Sequence, residues 1–233
     1  MLVAFLPDWV EPVARYMATE GLKGTARIGA ISLVASAVIG LVLGTLLTIR
    51  FLPLQAAIRL YIEVWRGLPI IVTIFIIYFA LPSLGGRFRF DPFTSASIGL
   101  ALWGSAQVAE ATRGAVQSIP REQHEAASAL GFGWVGRHAY VILPQALRRL
   151  LPPGVSLLVN IIQNTTLAGV LGGAELLGTA QRSVERLGAP QPNGLLGKPH
   201  AITIYGAVMV VFFVISFPLT RLAAYLERRL VEA

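Results

Sequence analysis

The amino-acid sequence predicts an all-α, polytopic integral membrane protein with five membrane-spanning helices. Of its 233 residues, 55% are hydrophobic and 13% are charged, and the mean hydropathy is +0.68. A soluble domain carries about 25% charged residues, so this low density indicates a chain that lies mostly in lipid. Several apolar runs approach the ~20 residues that a helix needs to cross the hydrocarbon core. Helices are expected because a helix satisfies its own backbone polar groups in lipid.

Five apolar runs define the predicted spans, which are residues 25–49, 65–84, 93–112, 154–171 and 201–222. An odd number of spans places the two termini on opposite sides of the membrane. A modest excess of Lys and Arg on the side of the C-terminus favours a cytoplasmic C-terminus and an external N-terminus. We expect the whole chain, residues 1–233, to form one transmembrane domain.

Residues 1–24 precede the first span and are predicted to form an external amphipathic segment. Four apolar residues recur there at i, i+3, i+4 and i+7, namely Val10, Val13, Ala14 and Met17. Such a helix can anchor on the outer leaflet of the membrane; the alternative is a part in gating. Within the first span, Gly40 and Gly44 form a G-x-x-x-G motif, which allows two helices to pack closely.

The composition excludes several classes of function. The chain has no Cys, and therefore no disulfide framework, thiolate metal site or Cys nucleophile. Its three His residues show no metal-ligand spacing, and no G-x-x-x-x-G-K-[ST] phosphate loop is present. The net charge of +7 is spread over loops and helix ends, which favours contact with anionic lipid and not with nucleic acid. We expect no enzymatic activity, no metal and no cofactor on this chain.

The segment 113–150 is polar to amphipathic, although it lies between apolar spans. Pro120 fits the first turn of a helix, and the acidic residues after it favour the positive helix end. Gly131 and Gly133 are natural helix stops, because glycine adopts left-handed backbone easily. A second short helix, about 134–141, would end before the next proline. The pattern predicts two short helices that meet at a turn and dock another protein; the alternative is an ordinary amphipathic loop.

Four stretches of the sequence carry a resemblance to a known family. They read Glu125-Ala126-Ala127 followed by Gly131, Ile142-Leu143-Pro144, Glu63-Val64-Trp65-Arg66-Gly67-Leu68-Pro69, and Gln163-Asn164-Thr165-Thr166-Leu167. They are similar to permease subunits of polar amino acid ABC importers, in the type I, methionine-importer-like transmembrane domain family. The resemblance covers about residues 21–230. It implies that 113–150 is a cytoplasmic coupling-helix loop, called the coupling loop below.

The resemblance assigns contact with an ATPase to seven residues of the coupling loop. These are Glu125, Ala126, Ala127, Gly131, Ile142, Leu143 and Pro144. The sequence departs from the family pattern at 163–166, where Lys-Asp-Thr-Ser is frequent, at Gln107, where Tyr is frequent, and at Leu68, where Thr is frequent. These departures leave open which amino acid is carried.

The resemblance also implies the partners and the location of the chain. Two permease chains, identical or paralogous, would form the pore in the bacterial cytoplasmic (inner) membrane. Two cytoplasmic ABC ATPase subunits would bind ATP and Mg²⁺, and an external solute-binding protein would deliver a small polar amino acid. Transport would then proceed by alternating access, with the energy supplied by the partner ATPases.

Polar residues inside the predicted spans are candidates for the substrate pathway, because polar groups in lipid are costly. They are Gln107 in the third span and Asn160, Gln163, Asn164, Thr165 and Thr166 in the fourth. Asn164 lies ten residues beyond Gly154, roughly 15 Å along a helix and near the bilayer midplane. The alternative is hydrogen bonding between helices, worth about 0.6 kcal/mol per pair.

Two acid–base pairs at i, i+3 spacing are candidates for an inner gate. They are Glu63 with Arg66 and Glu110 with Arg113. The alternative is a pair of structural ion pairs near the lipid headgroups. Two other classes of protein remain as rivals: an intramembrane enzyme that uses Glu110, Gln107 and Asn164, and a stand-alone secondary transporter. The latter would need inverted repeats, which the sequence does not show.

Overall fold

The computed structural model describes residues 7–49, 51–190 and 196–231, and the predicted all-α class is confirmed. Residues 1–6 of the predicted external segment lie outside these ranges. The α-helices are α1 (Val10–Tyr16), α2 (Lys23–Leu46), α3 (Leu52–Gly67), α4 (Ile70–Phe75), α5 (Pro92–Gln117), α6 (Arg121–Ala129), α7 (Trp134–Arg137), α8 (Leu143–Asn164), α9 (Leu167–Val170), α10 (Leu176–Gly188) and α11 (Ala201–Val231). π-Helical turns cover Met17–Leu22, Ile76–Ala80 and His138–Ile142, and 3₁₀ turns cover Leu81–Leu84 and Gly86–Phe88.

All five predicted spans overlap helices, although the helices differ in length and polarity. In the described ranges, Val10–Leu46 and Ala201–Arg229 are long and apolar enough to cross a membrane. A third span results if Leu52–Gly67 and Ile70–Leu84, which meet at 101°, are taken as one bent element. The predicted third and fourth spans fall on α5 and α8, whose polar residues lower their hydropathy.

The fourth predicted span differs at both ends from the helix on which it falls. Helix α8 begins at Leu143 instead of 154 and ends at Asn164 instead of 171, where a turn separates it from α9. The predicted end of the second short helix before Pro144 is also wrong, because helical structure runs from Trp134 to Asn164. The π-helical turn His138–Ile142 ends two residues before Pro144 and lets the helix pass a residue that has no N–H to donate.

Helix α3 begins between the first and second predicted spans, where no helix was predicted. Its apolar face buries Ile58 and Ile62, while its polar face stays exposed. Gln55 donates from Nε2 to the carbonyl oxygens of Leu47 (3.2 Å) and Ile49 (2.9 Å). A side chain of α3 therefore supplies hydrogen bonds to carbonyl groups just after the end of α2. A hydropathy window misses this helix because charged residues alternate with its apolar stripe.

The described residues form two compact units, each assembled from separated stretches of chain. The first unit comprises the described parts of 1–31, 71–100 and 161–217, and the second those of 32–70, 101–160 and 218–233. The core of the first unit is built from Met17, Leu176, Ala180, Ile204 and Val208. The predicted N-terminal helix exists as α1 and continues through Met17–Leu22 into α2, with Val13 and Met17 packed in this core; contact with the outer leaflet stays a prediction.

The second unit contains the G-x-x-x-G motif, and the close helix approach that it predicted is present. A Cβ atom on Gly40 would lie 2.4 Å from Cβ of Val108, and one on Gly44 would lie 2.5 Å from the Ala109 carbonyl oxygen. Both contacts are with α5. Glycine is therefore required at these two positions for α2 and α5 to pack.

Candidate functional site

The coupling loop turns at Gly131, as predicted. Helix α6 ends in a Schellman motif, in which Phe132 N–H donates to the Ala127 carbonyl (3.1 Å) and Gly131 N–H to the Ser128 carbonyl (3.0 Å). Gly131 has φ +84°, in the left-handed region that favours glycine. Gly133 has φ −68° and caps α7, so its predicted left-handed conformation is wrong.

Side-chain hydrogen bonds hold the two arms of the coupling loop together. Arg137 Nη1 in α7 donates to Ser128 Oγ in α6 at 2.9 Å. Gln145 Nε2 in α8 donates to Gln123 Oε1 in α6 at 3.2 Å. On the outer side of α6, Arg121 and Glu125 form an exposed ion pair at 2.9 Å. These contacts make the loop one folded element.

His138 connects the coupling loop to the end of the first span. Its Nδ1–H donates to the Trp134 carbonyl at 2.8 Å, and its Nε2 lies 3.0 Å from Thr48 Oγ1. Burial lowers the pKa of His138, and the charges of Arg137 and His124 lower it further, against the opposing effect of the Trp134 carbonyl. The imidazole is therefore neutral at neutral pH, with the proton on Nδ1.

The seven predicted coupling residues divide into an exposed and a buried group. Glu125, Ala126, Gly131 and Pro144 are exposed, and Leu143 is half-buried. Ala127 and Ile142 are buried, and Ile142 packs in a small core with Ala115, Val116, Ile119 and Ala146. Ala127 and Ile142 therefore lie beneath the surface of the coupling loop, where they support the exposed residues.

The coupling loop exposes a group of large apolar side chains that the sequence-based prediction missed. Leu130, Phe132, Val135 and Tyr140 are 78%, 37%, 72% and 75% exposed. They surround the Gly131 turn within an otherwise polar segment, and their type alone could have revealed them. Exposed apolar groups rimmed by polar residues are typical of protein–protein contact sites. These four side chains are called the apolar docking group below.

The second unit also forms a cavity of about 700 Å³, and two of the predicted pathway residues line it. Gln107 of α5 and Asn160 of α8 both line it, as does Trp103. Ser156 and Glu227 add a hydroxyl and a carboxylate that the sequence-based prediction did not include. Glu227 lies beyond the predicted end of the last span, so nothing in the sequence pointed to it. This volume lies within the range of small-molecule sites, about 300–1,000 Å³.

The other four predicted pathway residues do not line this cavity. Thr165 and Thr166 donate their hydroxyls to carbonyls three residues earlier, those of Ile162 (2.7 Å) and Gln163 (2.8 Å). Asn164 is the last residue of α8. Helix α8 begins at Leu143, so about 32 Å of helix precedes Asn164; the midplane depth of Asn164 stays a prediction.

One of the two predicted gate pairs is formed. Arg113 donates to both carboxylate oxygens of Glu110 and from Nη1 to Gln117 Oε1 at 2.6 Å. Glu63 and Arg66 are both exposed, and among the described residues they make no ion pair with each other. All three partners of the formed cluster lie on α5, so it is a bond within one helix; a gating role for either pair stays a prediction.

The comparisons with known proteins agree with this geometry. The sequence is 38% identical over 211 residues to the glutamine transport system permease protein GlnP of Escherichia coli (strain K12), covering 91% of each chain. A solved amino acid ABC transporter with histidines superposes with a TM-score of 0.76 at 25% identity, covering 97% of this chain and 100% of that one. An inward-facing MetNI methionine ABC transporter shares the fold, with a TM-score of 0.72, 20% identity and coverage of 93% and 98%.

A family profile matches most of the chain, over residues 36–232. With the relatives above, it confirms the resemblance predicted from the sequence, and it confirms a transport subunit in preference to an enzyme. The family's transport systems depend on a binding protein, and its members are inner-membrane components. The chain belongs to the family described as "Binding-protein-dependent transport system inner membrane component".

Proposed function

We propose that this chain is the permease subunit of an ATP-driven importer that moves polar amino acids across the cytoplasmic membrane by alternating access. The observation that carries the proposal is the coupling loop. It combines a glycine-stopped α6, a second arm tied to it by Arg137 and Gln145, and an apolar docking group turned away from the protein. A surface of this kind fits a groove on a cytoplasmic ATPase.

The contacts of the coupling loop supply a route for mechanical coupling. His138 joins it to Thr48 at the end of α2. Arg149 Nη1 of α8 donates to the carbonyl (2.6 Å) and Oγ (2.8 Å) of Ser118, just after α5. When ATP binding closes the ATPases, a pull on α6 is therefore passed to α2, α5 and α8, three of the four helices that line the cavity.

The cavity fits a small polar amino acid without a strongly charged side chain. Gln107 and Asn160 offer both N–H donors and carbonyl acceptors, and Ser156 offers a hydroxyl. Together they can pair with an α-carboxylate, an α-ammonium and a side-chain amide. Glu227 disfavours an acidic side chain. Glutamine, which is named for the Escherichia coli relative, is the first substrate to test.

The partners follow from this assignment. Two permease chains, copies or paralogues, form the pore; two ABC ATPases bind ATP and Mg²⁺; an external solute-binding protein delivers the substrate. The N-terminus lies outside and the C-terminus in the cytoplasm, so that the coupling loop faces the ATPases. Gln163, Asn164, Thr165 and Thr166, together with the Glu63–Arg66 and Glu110–Arg113 pairs, remain pathway and gate candidates.

The test is ATP-driven uptake of L-glutamine by the permease reconstituted in liposomes with its ATPase and binding protein. Gly131→Val should abolish uptake while ATP hydrolysis continues, because φ +84° is strained for a β-branched residue and costs about 1–2 kcal/mol. Gly133→Ala is the matched control, since its φ of −68° and open surroundings accept a methyl group. Normal uptake by Gly131→Val would contradict the role of the loop.

A further inference from the structure

A second cavity, of about 300 Å³, lies among residues of the first unit and is lined by four charged side chains. They are Glu20, Lys23, Arg27 and Asp91, which stand near the starts of α2 and α5. Gly24, Pro92 and Phe93 also line it, and one wall is formed by residues 172–174, the segment that leads into α10. Each of these segments lies at or near the external end of a predicted span, so the cavity is expected to open to the outside of the cell.

The backbone wall of this cavity is held in place by specific contacts. Arg182 donates from Nη1 to the Gly172 carbonyl (2.9 Å), from Nη2 to the Gly173 carbonyl (3.4 Å) and from Nε to Tyr16 Oη (3.0 Å). Gly172 has φ +81°, which fixes the turn. A Cβ atom on Gly24 would lie 1.9 Å from the Ala174 carbonyl oxygen, so α2 touches this wall directly.

Buried polar groups behind the wall fix it further. Glu175 is fully buried, and its carboxylate accepts the N–H of Leu177 at 2.9 Å and also that of Gly178, which caps α10. Thr25 Oγ1 accepts the N–H of Leu176 at 3.1 Å. Burial raises the pKa of Glu175, and the two N–H donors and Arg182 oppose that rise. These contacts hold residues 172–174 in one conformation, so this wall of the cavity is preformed.

The four charges around the cavity are not neutralised by one another. Among the described residues, no ion pair joins Glu20, Lys23, Arg27 or Asp91 to any partner. Asp91 accepts one backbone N–H, that of Thr94 at 3.3 Å. Two cations and two anions around one small concave space suit a ligand that carries one charge of each sign a few bonds apart.

We propose that this cavity is an external subsite for the zwitterionic backbone of a free amino acid. Lys23 and Arg27 bind the α-carboxylate, and Glu20 and Asp91 bind the α-ammonium group. The inference rests on the proposed function, because it supplies a first docking point between release from the binding protein and the cavity lined by Gln107 and Asn160. Its volume, at the lower end of the range for small-molecule sites, suits an amino acid better than a segment of protein.

The absence of Cys from the sequence allows a direct test by thiol labelling. Ala174→Cys places one thiol on the exposed lining of the cavity, and Ala18→Cys places one on exposed surface that does not line it. The full transporter, assembled with a cysteine-free ATPase and without binding protein, is treated with a charged thiol reagent in lipid nanodiscs. The labelling rate is measured with L-glutamine, N-acetyl-L-glutamine and L-glutamine α-amide.

L-Glutamine should slow labelling at Ala174→Cys about ten-fold when its concentration is about nine times its Kd. It should not slow labelling at Ala18→Cys. The two analogues, which lack the ammonium or the carboxylate charge, should protect far less. Protection should disappear with Lys23→Gln combined with Arg27→Gln and survive Arg186→Gln, an exposed cation of α10 that does not line the cavity.

Three outcomes would overturn the subsite. They are no protection by L-glutamine, equal protection by both analogues, and protection that vanishes with Asn160→Leu, which would indicate a remote effect of the other cavity. Protection that depends on ethanolamine lipids in the nanodisc, and not on glutamine, would assign the charges to a lipid headgroup. If uptake is normal and protection absent, only the subsite fails; if protection is present and ATP-driven uptake absent, the importer assignment fails.

Discussion

Two loops between predicted spans, the coupling loop and the segment 172–200, share a left-handed glycine turn but differ in what surrounds it. Gly131 has φ +84° and Gly172 has φ +81°. Beyond Gly131 the large apolar side chains point to solvent, whereas beyond Gly172 helix α10 buries Leu176 and Ala180 in the core of the first unit. The same turn thus leads to exposed apolar side chains in one loop and to an inward packing contact in the other.

Side-chain hydrogen bonds hold both loops in place. In the coupling loop, polar side chains such as Arg137 and Gln145 join its own arms and leave its apolar side chains free. In the other loop, Arg182 Nε donates to Tyr16 Oη at 3.0 Å and the Leu176 N–H donates to Thr25 Oγ1 at 3.1 Å, so this loop is bonded to α1 and α2. His138 likewise bonds the coupling loop to Thr48, so the two loops differ mainly in whether the apolar side chains beyond the turn are exposed or buried.

The largest expected effect is on the stability of the segment 172–200, which is called the inward loop below because the apolar side chains beyond its turn are packed in the core. Gly24→Ala should destabilise the protein by about 3 kcal/mol, because its Cβ would lie 1.9 Å from the Ala174 carbonyl oxygen and backbone must move. Thermal unfolding of the purified permease in detergent measures this loss. Gly206→Ala in α11 is the control, since its Cβ meets no atom within 4 Å and the helix should gain up to about 1 kcal/mol. Equal melting temperatures for the two variants would contradict the packed contact.

A smaller effect, on binding only, is expected from the apolar docking group. Leu130→Ser combined with Val135→Ser should weaken binding of the ATPase about ten-fold or more and leave the permease's own unfolding unchanged. Leu196→Ser in the inward loop is a matched control, because Leu196 is as exposed as Leu130, at 78%. Binding is measured by titrating labelled ATPase onto the reconstituted permease. An equal loss with Leu196→Ser would remove the distinction between the loops.

The smallest expected effect is the pH dependence of the coupling loop. Burial lowers the pKa of His138, so the folded loop binds fewer protons than the unfolded chain near that pKa. Its contribution to stability is therefore full above the ordinary His pKa of about 6.5 and falls as the pH drops below it. Burial and Arg137 lower the pKa of His124 in the same direction.

Hydrogen exchange of residues 121–142 at neutral and mildly acidic pH measures this change. The wild type should exchange faster in acid after correction for the intrinsic rate. His138→Gln should show a smaller difference between the two pH values, because one of the two titrating groups is gone. A pH response as large in His138→Gln as in the wild type would assign the effect to other groups.

The sequence allowed some of these features to be predicted and concealed others for physical reasons. The Gly131 stop was predictable because the left-handed cap depends on a single residue type. Helices α3 and α10 were missed because each has one polar face, which lowers its hydropathy to that of a loop. The sequence did contain a signal for the start of α10, because Glu175 precedes apolar residues at helical spacing and caps the helix.

The cavity was only half predictable. Gln107 and Asn160 are polar residues inside apolar runs, and the cost of burying them in lipid drew attention to both. Ser156 lies near the start of the predicted fourth span, where a single hydroxyl gave no distinct signal, and Glu227 lies past the apolar part of α11. Their approach to one cavity depends on tertiary packing, which local sequence pattern does not encode.

Site-specific cross-linking from the two loops tests most directly whether the coupling loop contacts the ATPase. A thiol-reactive photocross-linker is attached to Val135→Cys in the coupling loop or to Ala189→Cys in the inward loop, both exposed positions in a chain without other Cys. The full complex in native membrane vesicles should yield a cross-link to the ATPase from Val135→Cys and none from Ala189→Cys. A cross-link from Ala189→Cys, or none from Val135→Cys, would contradict the assignment of the coupling loop to the ATPase.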